Sequence, residues 1–176
     1  CLFCGSAGSG ECVKSGIDLQ EQFEEGLAMM RKKWPTGKAM AYFQAFTNTY
    51  GALEQLKACF TPFLERDDVI AICIATRADC ISDEILSYLD EMCQTKDIWI
   101  ELGLQSVYDE TALAMNRGHT YEEFTDCIAR LQKTHVKICV HLINGLPNET
   151  EEMMIHSAKT VGALPIHALK IHMLHL

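Results

Sequence analysis

Proline is scarce in this chain, with 4 residues in 176, and glycine is ordinary at 11. Disordered and collagen-like sequences carry far more of both, so those classes are excluded. Long apolar runs are missing too: stretches such as Val69–Ala75 stop well short of the ~20 residues a membrane-crossing helix needs. The opening Cys-Leu-Phe-Cys has neither the basic start nor the apolar run of a secretory signal. Positive charge is short as well, 15 Lys and Arg against 24 Asp and Glu, a net charge of −9. That balance argues against non-specific binding to nucleic acid or an anionic membrane, while leaving room for a local basic cluster such as Arg31, Lys32, Lys33 and Lys38. What is present is 48% apolar residues, enough to fill the core of one domain. Cysteine is plentiful at nine. Cys59, Cys73, Cys80, Cys93, Cys127 and Cys139 sit within apolar segments, where reduced cysteine packs as a small hydrophobe. The expected setting is a reducing cytoplasm, with no membrane partner.

Five apolar runs recur at near-even spacing: Ala39–Phe46, Val69–Ala75, Ile98–Leu104, Lys137–Ile143 and Ala168–Leu174, their starts 30, 29, 39 and 31 residues apart. Such intervals suit a strand plus a crossover helix. Helix signals fill the gaps. Leu19, Phe23, Leu27, Met30 and Trp34 form one stripe at helical spacing behind an Asp18/Glu21 capping pair, before Pro35 and Gly37. Ser82, Thr120 with Glu123, and Thr150 mark later helix starts, and Tyr108–Asn116 reads as a short extra helix and turn. The stripes are expected to be faces buried against a sheet. Alternating strands and helices imply an α/β fold with a parallel sheet, right-handed crossovers and a site at the carboxyl ends of the strands.

Polar residues gather at those ends. Within the runs, the period of two puts Trp99, Glu101, Gly103 and Gln105 on one face, with Tyr42, Gln44 and Phe46, Cys139 and His141, and Lys170 and His172 sharing faces in the same way. A carboxylate between Ile100 and Leu102 needs a partner if buried. Two readings stay open: a pair with Lys170 or a histidine, or a polar ligand whose hydrogen bonds Glu101 accepts. His141, His172 and His175 with Glu101 could also serve as metal ligands in a barrel hydrolase, although the paired-histidine spacing of such sites is absent.

Cys1-Leu2-Phe3-Cys4 leads into Gly5-Ser6-Ala7-Gly8-Ser9-Gly10. Thiolates two residues apart can converge on a metal or an iron–sulfur cluster, and the small residues admit close backbone approach. Half a zinc ribbon would need a second such pair, and a redox dithiol would need a helix at once; neither follows. A cysteine loop ahead of the first helix would lie at the mouth, over the polar strand ends.

The ordered set Tyr42–Tyr50 (YFQAFTNTY), Ala75–Cys80 (ATRADC), Glu101–Ser106 (ELGLQS), Asn116–Thr120 (NRGHT), His141–Pro147 (HLINGLP) and Lys170–His175 (KIHMLH) resembles a bacterial radical SAM family related to the catalytic subunit of elongator. The resemblance runs the length of the chain. It implies a partial (β/α)6 barrel, with residues 1–176 a single radical SAM core domain whose first strand and first cluster ligand lie upstream and whose C-terminal region lies downstream. It implies a [4Fe–4S] cluster and S-adenosylmethionine (SAM), with Cys1 and Cys4 as the last two cluster ligands and Cys12 a poor match for a third. By the same resemblance Phe3 lies near the adenine, Gln44 to Asn48 near the methionine amino group, Arg77 by the SAM carboxylate, Glu101 and Gln105 at the ribose, and His141 to Gly145, Asn144 among them, along the adenine side. Plainer roles for Arg77 and Gln105 are a surface ion pair and a capping amide. The implied chemistry is reductive cleavage of SAM to a 5′-deoxyadenosyl radical that abstracts hydrogen, fed by a flavodoxin- or ferredoxin-type electron donor, with a tRNA wobble uridine as the candidate substrate. The competing classes are a cluster-less barrel that binds a small ligand or partner, and the barrel hydrolase using His141, His172 and Glu101.

Overall fold

The structure is a computed structural model that describes residues 1–2 and 18–174. Five strands, β1 (Ala39–Phe43), β2 (Val69–Thr76), β3 (Asp97–Gln105), β4 (Lys137–Asn144) and β5 (Ala168–Met173), form one parallel sheet in sequential order. Six helices alternate with them: α1 (Leu19–Arg31), α2 (Leu53–Leu64), α3 (Asp83–Met92), α4 (Asp109–Ala114), α5 (Tyr121–Leu131) and α6 (Glu151–Gly162). This is the expected α/β half-barrel, and among the described residues no helix is long and apolar enough to cross a membrane.

The capping signals act as read. Asp18 accepts the amides of Gln20 and Glu21, Ser82 that of Ile85, and Thr150 that of Met153. Thr120 and Glu123 close a reciprocal capping box, which satisfies two otherwise orphaned donors of α5. The Ser82 and Thr150 caps start α3 and α6 shortly after the carboxyl ends of β2 and β4.

The two sheet faces differ sharply. Ile72, Ile74, Ile98, Ile100, Leu102, Leu104, Ile138, Val140 and Leu142 alternate onto the outer face and join Phe60, Leu89, Phe124, Leu131 and Val161 of the helices in one core. Period-two alternation then puts Cys73, Ala75, Trp99, Glu101, Gly103, Cys139 and His141 on the inner, concave face. Cys127 belongs to the outer core, whereas Cys73 and Cys139 are buried on the inner wall; all three are free thiols.

Two sequence expectations change. The first run stops as a strand at Phe43, because Ala45 and Phe46 turn into the left-handed region (φ +48° and +64°). Phe46 therefore leaves the face it was expected to share with Tyr42 and Gln44 and is 66% exposed. The α1 stripe is buried only at Leu27, while Leu19, Met30 and Trp34 stay exposed. Among the described residues α1 lies along β1, the first strand of the order, and it meets the helix layer through Phe23, edge-on to Phe63 of α2 with 5.3 Å between ring centres. The rest of the stripe faces an apolar groove of about 870 Å³ along β1.

Ile100 is fully buried in the outer core, so Ile100→Ala is expected to cost about 2–5 kcal/mol, read as a lowered urea midpoint. Leu113→Ala, at an exposed side chain of α4, is expected to stay within about 0.5 kcal/mol of wild type.

Candidate functional site

Glu101 stands at the centre of the inner wall and is 5% exposed. Its Oε2 accepts hydrogen bonds from the Tyr42 hydroxyl at 2.7 Å, His141 Nε2 at 2.8 Å and Lys170 Nζ at 2.7 Å; Lys170 also reaches Oε1, at 2.8 Å. Donors from β1, β4 and β5 thus converge on one carboxylate of β3. Burial pushes its pKa up, but the hydrogen bonds from His141, Lys170 and Tyr42 outweigh that and hold it at about 2. The paired-carboxylate reading is therefore realised with both suggested partners, and Oε1 keeps a single donor. The charge has effects around it: burial first, and then Glu101, raise the Tyr42 phenol and lift the Cys73 and Cys139 thiols to about 11. The rings of His141 and His172 lie 5.2 Å apart.

Ligand atoms of Glu101, Cys139 and His141 lie within 4.8 Å of one another. The grouping suits a divalent ion poorly, since the Lys170 ammonium already bonds both Glu101 oxygens and the Cys139 thiol stays protonated at neutral pH. His172 is outside that group, which weakens the hydrolase reading.

Toward the carboxyl ends, Gln105 adopts φ +71° at a register irregularity of β3. Its amide folds back over Gly103, where an added Cβ would lie 2.8 Å from Nε2. Among the described residues its buried Oε1 has no hydrogen-bond partner. A buried acceptor left open on a concave wall fits a ligand that brings a hydroxyl or amine donor. Asn144, half-buried at the end of β4, accepts the amide of Leu174 at 2.9 Å. Asn48 locks the β1 loop, its Nδ2 donating to the carbonyls of Phe43, Gln44, Ala45 and Ala75 at 2.9–3.3 Å. Gln44 enters that bond through its backbone. Arg77 pairs with Asp79, its Nε 2.9 Å from Oδ1, as the plainer reading held.

A second polar cluster involves the Asn116–Thr120 motif, to whose residues the sequence assigned no role of their own. Arg117 and His119 are buried at 2% and 7% exposure. The Arg117 guanidinium donates to the Leu104 carbonyl and to His119 Nε2, which turns His119 Nδ1 toward Asp79 Oδ1 at 3.4 Å. Burial and the Arg117 charge pull His119 down to about 4, so it is neutral at pH 7. Gly118, at φ +94°, lies against the Arg77 guanidinium, 2.5 Å from where a Cβ would be. The turn also meets the start of the chain: Leu2 N–H donates to the Met115 carbonyl at 3.0 Å, and Cys1 Sγ approaches the Arg117 carbonyl at 3.9 Å. Since Arg117 is anchored on Leu104, near the end of β3, Cys1 lies at the carboxyl end of the sheet. Phe3, Cys4, Cys12 and His175 lie outside the described residues.

A family model described as the radical SAM superfamily matches residues 1–161. The chain belongs to that superfamily. Its relatives are of the elongator-catalytic-subunit-like kind. It is 44% identical, over its full length and 55% of the other protein, to the uncharacterized YtqA of Bacillus subtilis (strain 168). A tRNA uridine(34) acetyltransferase of Methanocaldococcus infernus is 32% identical over 48% of this chain and 15% of that protein. The fold matches the structure of archaeal Methanocaldococcus infernus Elp3 with an N-terminal deletion at a TM-score of 0.74 and 23% identity, covering 88% of this chain and 41% of the other. The chain spans about half the length of YtqA. Membership of the superfamily implies a [4Fe–4S] cluster and SAM, and the open Gln105 acceptor and Cys1 at the mouth fit that pair.

The Glu101 bonds set the acid behaviour. The folded value, about 2, lies below the ~4.3 of an unfolded glutamate. Its contribution is thus complete above about pH 4.3 and lost as pH falls toward 2. Lys170→Met is expected to raise the folded value, reduce stability at pH 7 by roughly 1–3 kcal/mol and flatten the acid fall between about pH 5 and 3, followed by urea midpoints. Superimposable wild-type and variant curves would refute this.

Proposed function

We propose that this domain is the core of a radical SAM enzyme that acts on a tRNA wobble uridine. The observation that carries the reading is spatial: the leading cysteine lies at the same end of the sheet as an inner wall with an unmatched acceptor, Gln105 Oε1. Cys1 and Cys4 would hold the cluster together with a thiolate outside this chain. Gln105 and the Glu101 edge of the wall would take the ribose, His141 to Asn144 the adenine side, and the Gln44–Asn48 loop and Arg77 the methionine end. Bound together, the cluster and SAM supply a 5′-deoxyadenosyl radical able to abstract hydrogen from a substrate carbon.

The work of this chain's residues is positioning. The Asn48 amide fixes the loop that closes the methionine end, and Gly103 clears the space over which Gln105 lies. The Tyr42–Glu101–Lys170–His141 bonds hold the wall in one arrangement, so little reorganisation is needed when a ligand arrives. Tyr42 and the two inner thiols stay protonated, leaving Glu101 and Lys170 as a matched charge pair on that wall. The tRNA assignment draws support from the similarity to a tRNA uridine(34) acetyltransferase.

Anaerobic reconstitution of the full-length protein with iron and sulfide is expected to give cluster absorbance and, with SAM and a reductant, 5′-deoxyadenosine. Cys4→Ala is expected to abolish both, and tRNA nucleosides from cells lacking the gene should differ in mass at a uridine derivative. A colourless full-length protein that releases no 5′-deoxyadenosine would overturn the enzyme reading. Unchanged nucleosides would overturn the tRNA substrate alone.

A further inference from the structure

The loop after β1 is held in a costly conformation for a visible result. Ala45 and Phe46 are consecutive non-glycine residues in the left-handed region, a backbone that side chains with a Cβ disfavour. Asn48 bonds four carbonyls across the loop, and its own amide donates to Ala75 at 3.1 Å. Buried Thr49 bonds the Thr76 hydroxyl and, at 2.7 Å, the Cys80 carbonyl. This fastening displays two large rings to solvent, Phe46 at 66% and Tyr50 at 81% exposure. Exposed aromatics on a rigid loop bring much contact area with little entropy left to lose, the property of binding anchors.

The rings flank a hollow of about 960 Å³ whose polar edge includes Thr47, Arg77, Asp79 and Ser82. That edge mixes donors and acceptors, and the Arg77–Asp79 pair brings it near neutrality. Aromatic faces beside mixed hydrogen-bonding edges match one ligand chemistry closely, a flat heteroaromatic ring with polar rims. The hollow adjoins the Gln44–Asn48 loop at the sheet mouth, and resting on the tRNA reading above, the ring in question is a base of the RNA. We propose that this rim binds one unstacked nucleobase of a single-stranded RNA loop, with Phe46 and Tyr50 as stacking faces and the Thr47–Asp79–Ser82 edge reading its hydrogen-bonding side. The acidic chain, at −9, offers little to phosphates, so affinity here comes from stacking rather than counterion release.

The test is fluorescence anisotropy of a labelled RNA hairpin and of a fully paired RNA duplex with the full-length protein, with no SAM or reductant present. Phe46→Leu and Tyr50→Leu keep apolar bulk but remove the ring; each is expected to weaken hairpin binding roughly tenfold, the effect of about 1–3 kcal/mol per stacked base. Phe46→Tyr and Tyr50→Phe should stay within about twofold of wild type, which separates lost stacking from a disturbed loop. The tenfold loss should persist between about 50 and 200 mM salt. Leucine variants that bind the hairpin like wild type overturn the proposal, as does a wild type that prefers the duplex. Leucine variants that keep hairpin affinity but change the protein's oligomeric state would assign the rings to a protein contact instead. Failure here beside a working, coloured enzyme removes only the RNA rim, whereas a colourless protein that still loses hairpin affinity on ring removal fails the enzyme reading alone.

Discussion

One buried carboxylate organises the inner wall. An ionised group taken out of water costs several kcal/mol unless its hydrogen-bonding capacity is met, and Glu101 meets it with donors from three other strands. The constraint is mutual. Tyr42 sits on β1 and Lys170 on β5, so the same oxygen links the first and last of the described strands through β3. Losing any donor would leave a buried charge short of partners, and the concave surface keeps one geometry as a result.

That constraint explains the division of labour between the faces. Apolar burial against the helices supplies the stability, on the side away from the site. The concave side is freed to carry groups that stability alone would not select: a carboxylate, an ammonium, two imidazoles, two inner thiols and an amide with an unmatched oxygen. Above them, the Arg117–His119–Asp79 cluster ties the turn after α4 to the end of β3 and to the first two residues of the chain. Wall and cysteine start are thereby built to one end.

Much of this was legible because it is local or periodic. Strand intervals, the capping residues and the alternation through Trp99, Glu101 and Gly103 are written within short windows, and the Glu101–Lys170 and Glu101–His141 contacts follow from facing parities on strands of one sheet. What failed depended on backbone choices that sequence period does not encode. Two left-handed residues turn Phe46 out of its face, and a register irregularity with positive φ folds Gln105 over Gly103. The α1 stripe was misjudged because periodicity marks an apolar face without saying which of its residues find a neighbour: only Leu27 is buried. Arg117 and His119 were noted only as part of the Asn116–Thr120 motif, and their role stayed hidden because their partners, Leu104 and Asp79, are brought near by folding.

The wall rests on Glu101 being charged and held from three sides. The most direct measurement is the carboxyl ¹³C shift of Glu101, assigned by comparison with Glu101→Gln and titrated by NMR over the acid range in which the protein stays folded. A carboxyl still ionised at the lowest such pH, consistent with a value near 2, is the result the structure predicts. Titration at or above the ~4.3 of a free glutamate would contradict it and remove the basis for a preformed wall.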